Sequence, residues 1–154
     1  MSETQYPQSQ VTPLVTAGAY AVGMSIGGLL TFNYVVPVSG GSAIIQGASV
    51  TFASGVVPNM DLVMLSQTPT GGTITDHAAL VIAPGDLAKV IGVLHLTDAT
   101  LLGAAAPSVM QATAAVMPFD LRSGTVLHGV LVARTAVTLG STTDVVVSLN
   151  VLWG

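Results

Sequence analysis

Val145-Val146-Val147-Ser148-Leu149-Asn150-Val151-Leu152-Trp153 decides the fold class of this chain. Val145, Val147, Leu149, Val151 and Trp153 fall on one side, and Ser148 and Asn150 on the other. A period of two belongs to a strand that lays one face on a core. The stretch Ser42–Phe52 carries the same signal. Its even positions (Ile44, Gln46, Ala48, Val50, Phe52) are mostly apolar, and the odd ones (Ile45, Gly47, Ser49, Thr51) are mostly small or hydroxylated.

Working outward, short apolar runs recur at Ala19–Met24, Leu29–Val36, Asp61–Gln67, Ala79–Ile82, Lys89–Thr97, Val109–Phe119 and Thr125–Thr135, separated by Gly, Pro, Asn, Asp and Ser. The 23 Val and 17 Thr suit pleated surfaces, because β-branched side chains are stiff at χ1. Thr125–Thr135 is partly apolar on both faces, with Val126, Val130 and Val132 beside His128 and Arg134 on one and Leu127, Leu131 and Ala133 on the other, as in a strand covered twice. One short helix is expected near 84–90, where Pro84 fits the first helical position and Asp86 the first turn. About eight short strands with so little helix predict an all-β chain, a β-sandwich of jelly-roll-like type. Ser39-Gly40 before Ile44-Ile45-Gln46-Gly47 echoes Ser123-Gly124 before Val126-Leu127-His128-Gly129, as equivalent strands in two halves would.

Residues 1–13 differ from the rest. They are polar, carry Pro7 and Pro13, and lack an apolar period, which predicts an extended N-terminal arm ahead of one β domain over 14–154. Tyr6, Pro7, Val11 and Pro13 are the arm residues expected to touch a neighbouring subunit, and Trp153 is the aromatic expected to plug a core or an interface.

Charge is scarce. Of 154 residues only 6% are charged against 51% hydrophobic, and the net charge is −4; an ordinary soluble domain has roughly 25% charged residues. A monomer of this mass exposes roughly 7,000 Å², of which ten charged side chains cover about 1,000 Å². The expectation is that other protein covers much of the remainder. Three basic residues cannot supply a nucleic-acid footprint. With no cysteine there is no disulfide framework, thiolate site or thiol nucleophile. Leu14–Val38 is uncharged and long enough to span a bilayer, but its glycines, Pro37 and the lack of any Lys or Arg before Lys89 argue against a membrane helix.

No strong catalytic motif is present, and no enzyme activity or cofactor is expected. His77, His95 and His128 lack short ligand spacing for a zinc site. Asp76-His77 with a serine would need the geometry of a triad, and no G-x-S-x-G elbow occurs. The aspartates, one per loop, are expected to serve local turns and caps. Gly23-Met24-Ser25-Ile26-Gly27-Gly28 lacks the Lys-Ser/Thr of a phosphate loop.

Several segments taken in order carry a family resemblance. Gly27-Gly28-Leu29-Leu30-Thr31-Phe32, Thr75-Asp76-His77-Ala78-Ala79-Leu80, Asp86-Leu87-Ala88-Lys89-Val90-Ile91-Gly92-Val93, Leu131-Val132-Ala133-Arg134-Thr135 and Ser141-Thr142-Thr143-Asp144 resemble small virion proteins of tailed bacteriophages, of the capsid decoration or cement type. The polar arm is a departure from that pattern. The resemblance implies a homotrimer on the outer surface of the head, assembled in the host cytoplasm, with the major capsid protein as partner and with no nucleic acid or membrane. A tail, neck or fibre-associated domain is the alternative within the virion. A carbohydrate-binding or hydrolytic β-sandwich is the alternative outside it.

Overall fold

The computed structural model describes residues 8–104, 107–112 and 116–153. They form an all-β fold around one main sheet, whose strands are β1 (Gln8–Val11), β3 (Ser25–Phe32), β4 (Ser42–Phe52), β5 (Met60–Leu65), β8 (Val90–Leu101), β9 (Ser108–Ala112), β10 (Met117–Asp120), β11 (Leu127–Ala133) and β13 (Val145–Trp153). Two small ribbons flank it: β2 (Gly18–Tyr20) with β12 (Val137–Leu139), and β6 (Gly72–Thr73) with β7 (Val81–Ile82). Pro84–Lys89 is a 3-10 helix with proline in its first turn, where the sequence predicts a helix.

The main sheet runs β1-β13-β4-β9-β8-β5-β11-β3, with β10 also on β4. Its two end strands lie against each other, so it curls into a nearly closed, sandwich-like shell. The eight strands along this path match the predicted number. Curling places Phe32, Phe52, Ile45, Leu62, Met64, Leu96, Leu127 and Leu131 in one core with the whole inner row of β13. Each such side chain contributes about 1.5–3 kcal/mol through burial.

Three expectations change in detail. Ser42–Phe52 does not keep one face inward throughout: Ala43 and Ile45 are buried, and then Ala48, Val50 and Phe52. Gly47 pairs with Asn150 and Ile45 with Val151, so Gln46 is an extra residue, a β-bulge that switches the inward parity. Val109–Phe119 is two strands, with β9 on the Ser49–Phe52 half of β4 and β10 on the Ser42–Ile45 half. The expected arm is a strand in its second half, because Gln8–Val11 pairs with Gln10 opposite Ser148 and Val11 opposite Val147.

The twice-covered reading of β11 holds. Leu127, Leu131 and Ala133 join the main core, while Val130 and Val132 join a second, outer core with Val63 and Leu65. The chain between β5 and β8 lies over that outer face, contributing Ile74 and Leu80 to the second core. Two turns of the internal echo meet: Gly40 donates its amide to the Gly124 carbonyl at 3.0 Å, and Gly124 donates to Ser39 Oγ at 2.8 Å. Both glycines have left-handed φ, +75° and +74°.

Candidate functional site

The residues expected at an interface have varied positions. Tyr6 and Pro7 lie outside the described residues. Val11 is half-buried against the core, and Pro13 is buried beside Gly27. Trp153 packs partly on the core and donates its indole Nε1–H to the Val35 carbonyl at 3.0 Å.

Three of the aspartates do more than cap local turns. Asp76, Asp86 and Asp144 each gather donors from distant chain. Asp76 accepts from the Gly27 amide at 2.6 Å, from the Thr16 amide at 2.8 Å and its hydroxyl at 2.7 Å, and from the Tyr20 hydroxyl at 2.9 Å. Burial pushes this carboxyl upward, but the Gly27, Thr16 and Tyr20 donors outweigh it and hold it below the usual carboxylate range. Burial, with the Asp76 carboxylate behind it, pushes the Tyr20 hydroxyl up to about 12. Asp144 accepts from the amides of Ser54 and Gly140, both at 2.7 Å; burial raises it and these donors lower it further, leaving it depressed. Asp86 is held well below the usual range by Lys89 at 2.7 Å and by the amides of Thr70 and Gly71. Their sequence signal, isolated Asp in Gly/Thr-rich loops, is the same for a local cap and for a distant clasp.

Asp76 and His77 are not arranged as a relay. The His77 Nε2–H donates to the Ala19 carbonyl at 2.8 Å, its ring stands edge-on to Tyr20, and the Asp76 oxygens point to the donors above. Among the described residues no group of three His, Asp or Glu side chains could hold a metal ion. No helix among them is long and apolar enough to cross a membrane; the glycines at 27 and 28 form an irregularity in β3 where its register with β11 shifts.

What the fold does assemble is an apolar end. The β4–β5, β8–β9 and β11–β12 connections meet there with the chain before β2 and the chain before β13. Val15 donates to the Thr142 carbonyl at 3.0 Å, Gly23 to Ala133 at 2.8 Å and Arg134 to Asn59 at 2.9 Å. Ser108 Oγ bonds the Val56 carbonyl. This end carries the exposed side chains of Leu14, Val22, Val57, Leu101 and Leu102, five of the eleven large apolar residues exposed among the described residues. These side chains leave apolar surface exposed at this end of the fold.

At the margin of this end lies an ionic network that sequence reading did not single out. Asp61, on β5, is buried. Its Oδ1 meets His95 Nδ1 at 2.7 Å from β8, and its Oδ2 accepts Arg134 Nε at 2.5 Å from just beyond β11. Asp61 and His95 are directly opposed in register. These three residues are separated by 34 and 73 positions from Asp61, so only strand pairing could bring them together.

At the opposite end a cleft is lined by Ser66, Gln67, Lys89, Asp120 and Arg122. Lys89 is spent inside the protein, on Asp86 and on the Thr68 carbonyl at 2.9 Å.

No family model matches the chain, and no curated protein matches it. Among solved structures, it is similar to a chain of "Israeli acute paralysis virus heated to 63 degree - full particle" at 12% identity and a TM-score of 0.27, over 98% of this chain and 70% of that one. A likeness of that size carries no inference about function.

Proposed function

We propose that this chain is a non-enzymatic structural protein of a virus particle, a decoration or cement protein of a tailed-phage head that binds across capsid subunits as an oligomer, with a homotrimer as the form the family resemblance implies. The carrying observation is the makeup of its surface. The accessible surface is 7519 Å², close to the size expected of a monomer. Yet Asp61, Asp86 and Asp144 are buried, and Lys89 is half-buried in its pair with Asp86. Among the described residues, four ionic side chains (Asp98, Asp120, Arg122 and Arg134) stand exposed against eleven large apolar ones. Charge that would keep a free monomer soluble is turned inward to clasp loops, which supports a surface meant to be covered. A cohesive protein of this kind stabilises the assembled shell by binding it in preference to loose subunits.

The test is sedimentation of the purified chain alone and with capsids lacking it. The expected result is an oligomer that co-sediments with capsids to a fixed stoichiometry. A monomer at high concentration that leaves capsids bare overturns the proposal.

A further inference from the structure

We infer that Arg134 and His95, positioned by Asp61, form a binding site for a single carboxylate, the group an acidic side chain of a docked protein would present at the apolar end. The carboxylate of this network is enclosed while both of its cations reach solvent. Here the side chain of Asp61 is 10% exposed while those of His95 and Arg134 are 73% and 48% exposed. Arg134 uses its Nε on Asp61, which leaves the two terminal nitrogens outside; none of the described residues hydrogen-bonds them. A guanidinium with that edge open matches a carboxylate in bidentate geometry. His95 uses Nδ1 on Asp61, and the rest of its largely exposed ring, Nε2 included, stands toward solvent.

Charge selects the class of anion. Asp61 already offsets the charge of the Arg134 guanidinium, so the site keeps little net positive charge and holds an anion chiefly through the open nitrogens of Arg134. A monoanion is accommodated, and a dianion such as phosphate meets the repulsion of Asp61. Continuity selects the source. Arg134 donates its backbone amide to the carbonyl of Asn59, two residues after exposed Val57, and follows Ala133, whose carbonyl binds the amide of Gly23, the residue after exposed Val22. An anchored cation bordered by exposed aliphatic side chains is the makeup of a protein interface with a charged rim. The site belongs to the free chain, so its test is independent of whether the chain joins a virus particle.

The test is titration of the nitrogen-15-labelled full chain with acetate, phosphate and chloride at constant ionic strength, read at the Arg134 Nε–H and the His95 ring by NMR. Acetate is expected to shift both signals saturably and to bind about fivefold or more tighter than chloride. Arg134→Lys, which keeps the charge but loses the fork, is expected to weaken acetate about threefold to tenfold, and Arg134→Gln to abolish the saturable shift. If Arg134→Gln does not fold, His95→Ala decides: the exposed ring is dispensable for folding, and its loss is expected to weaken acetate about twofold or more. A response equal to that of chloride, phosphate binding tighter than acetate, or unchanged acetate affinity in the folded variants overturns the inference. A glutamate-containing peptide compared with its glutamine counterpart separates a protein source from a free small acid: a carboxylate on a peptide is expected to bind at least as tightly as acetate, and a peptide that fails to bind overturns the protein assignment.

Discussion

Asp76 and Gly27, 49 residues apart, are joined by a 2.6 Å hydrogen bond from the Gly27 amide to Oδ1. The bond fixes the irregular glycine of β3, whose φ is +80°, while the second oxygen of the same carboxylate holds the Thr16 amide. One side chain thereby ties β3, an end strand of the sheet, to the chain that precedes β2. Asp76→Ala strands the Gly27 and Thr16 amides and the Tyr20 hydroxyl, and is expected to cost about 3 kcal/mol of unfolding free energy. Asp76→Asn retains one acceptor and turns an amide nitrogen toward existing donors, for a cost of about 2 kcal/mol. Urea unfolding midpoints measure both, and a loss under about 0.5 kcal/mol for the alanine variant contradicts the clasp.

Gly27 is also where Pro13 rests. A Cβ built on Gly27 would stand 2.3 Å from the Pro13 Cβ, and the left-handed φ adds its own penalty to any other residue. Gly27→Ala is expected to destabilise by about 2–4 kcal/mol and to open the Val11–Val15 segment to protease. Pro13→Gly in the same background relieves the contact and restores part of that loss. Gly92→Ala is the control: its Cβ meets the flexible end of Met117 at 2.6 Å, which can swing aside, so the cost is expected to stay below about 1.5 kcal/mol.

Acid is expected to loosen the fold in one direction. Asp76, Asp144 and Asp86 have carboxyls depressed in the folded chain. A depressed carboxyl adds stability that is fully present above its unfolded value, about 3.9, and is lost as pH falls through the folded value. His128 is lowered by burial, so its protonation also weakens the folded state as pH falls below about 6.5. The melting temperature should therefore decline gently below pH 6.5 and steeply below pH 4, under constant salt. His128→Gln should remove the first decline and Asp76→Asn should shrink the second. A melting temperature that rises toward pH 3 contradicts the assignment.

How much of this was legible depends on what each residue's neighbours are. Val145 to Trp153 could be read because a strand of unbroken parity carries its orientation in its letters. Ser42–Phe52 could be read only in half, since the letters do not mark Gln46 as the residue that the ladder skips. Tyr34 ends β3 earlier than the run Leu29–Val36 suggests, by taking a left-handed φ of +56° that nothing in its side chain announces. The two faces of Thr125–Thr135 could be read, but not that the 66–89 segment covers one of them. Asp61, His95 and Arg134 share no local motif at all. Their meeting is a product of register between three strands, and register is a long-range outcome.

β13 lies between β1 and β4, and it is the last of these strands to leave the ribosome. Until Trp153 has been translated, β4 keeps a bare edge and Gln8–Val11 has nothing to join. Shell closure is therefore a late event in biosynthesis. An interrupted translation product ending before Val145 would leave the edge of β4 and the strand Gln8–Val11 unpaired, and unpaired strand edges invite aggregation.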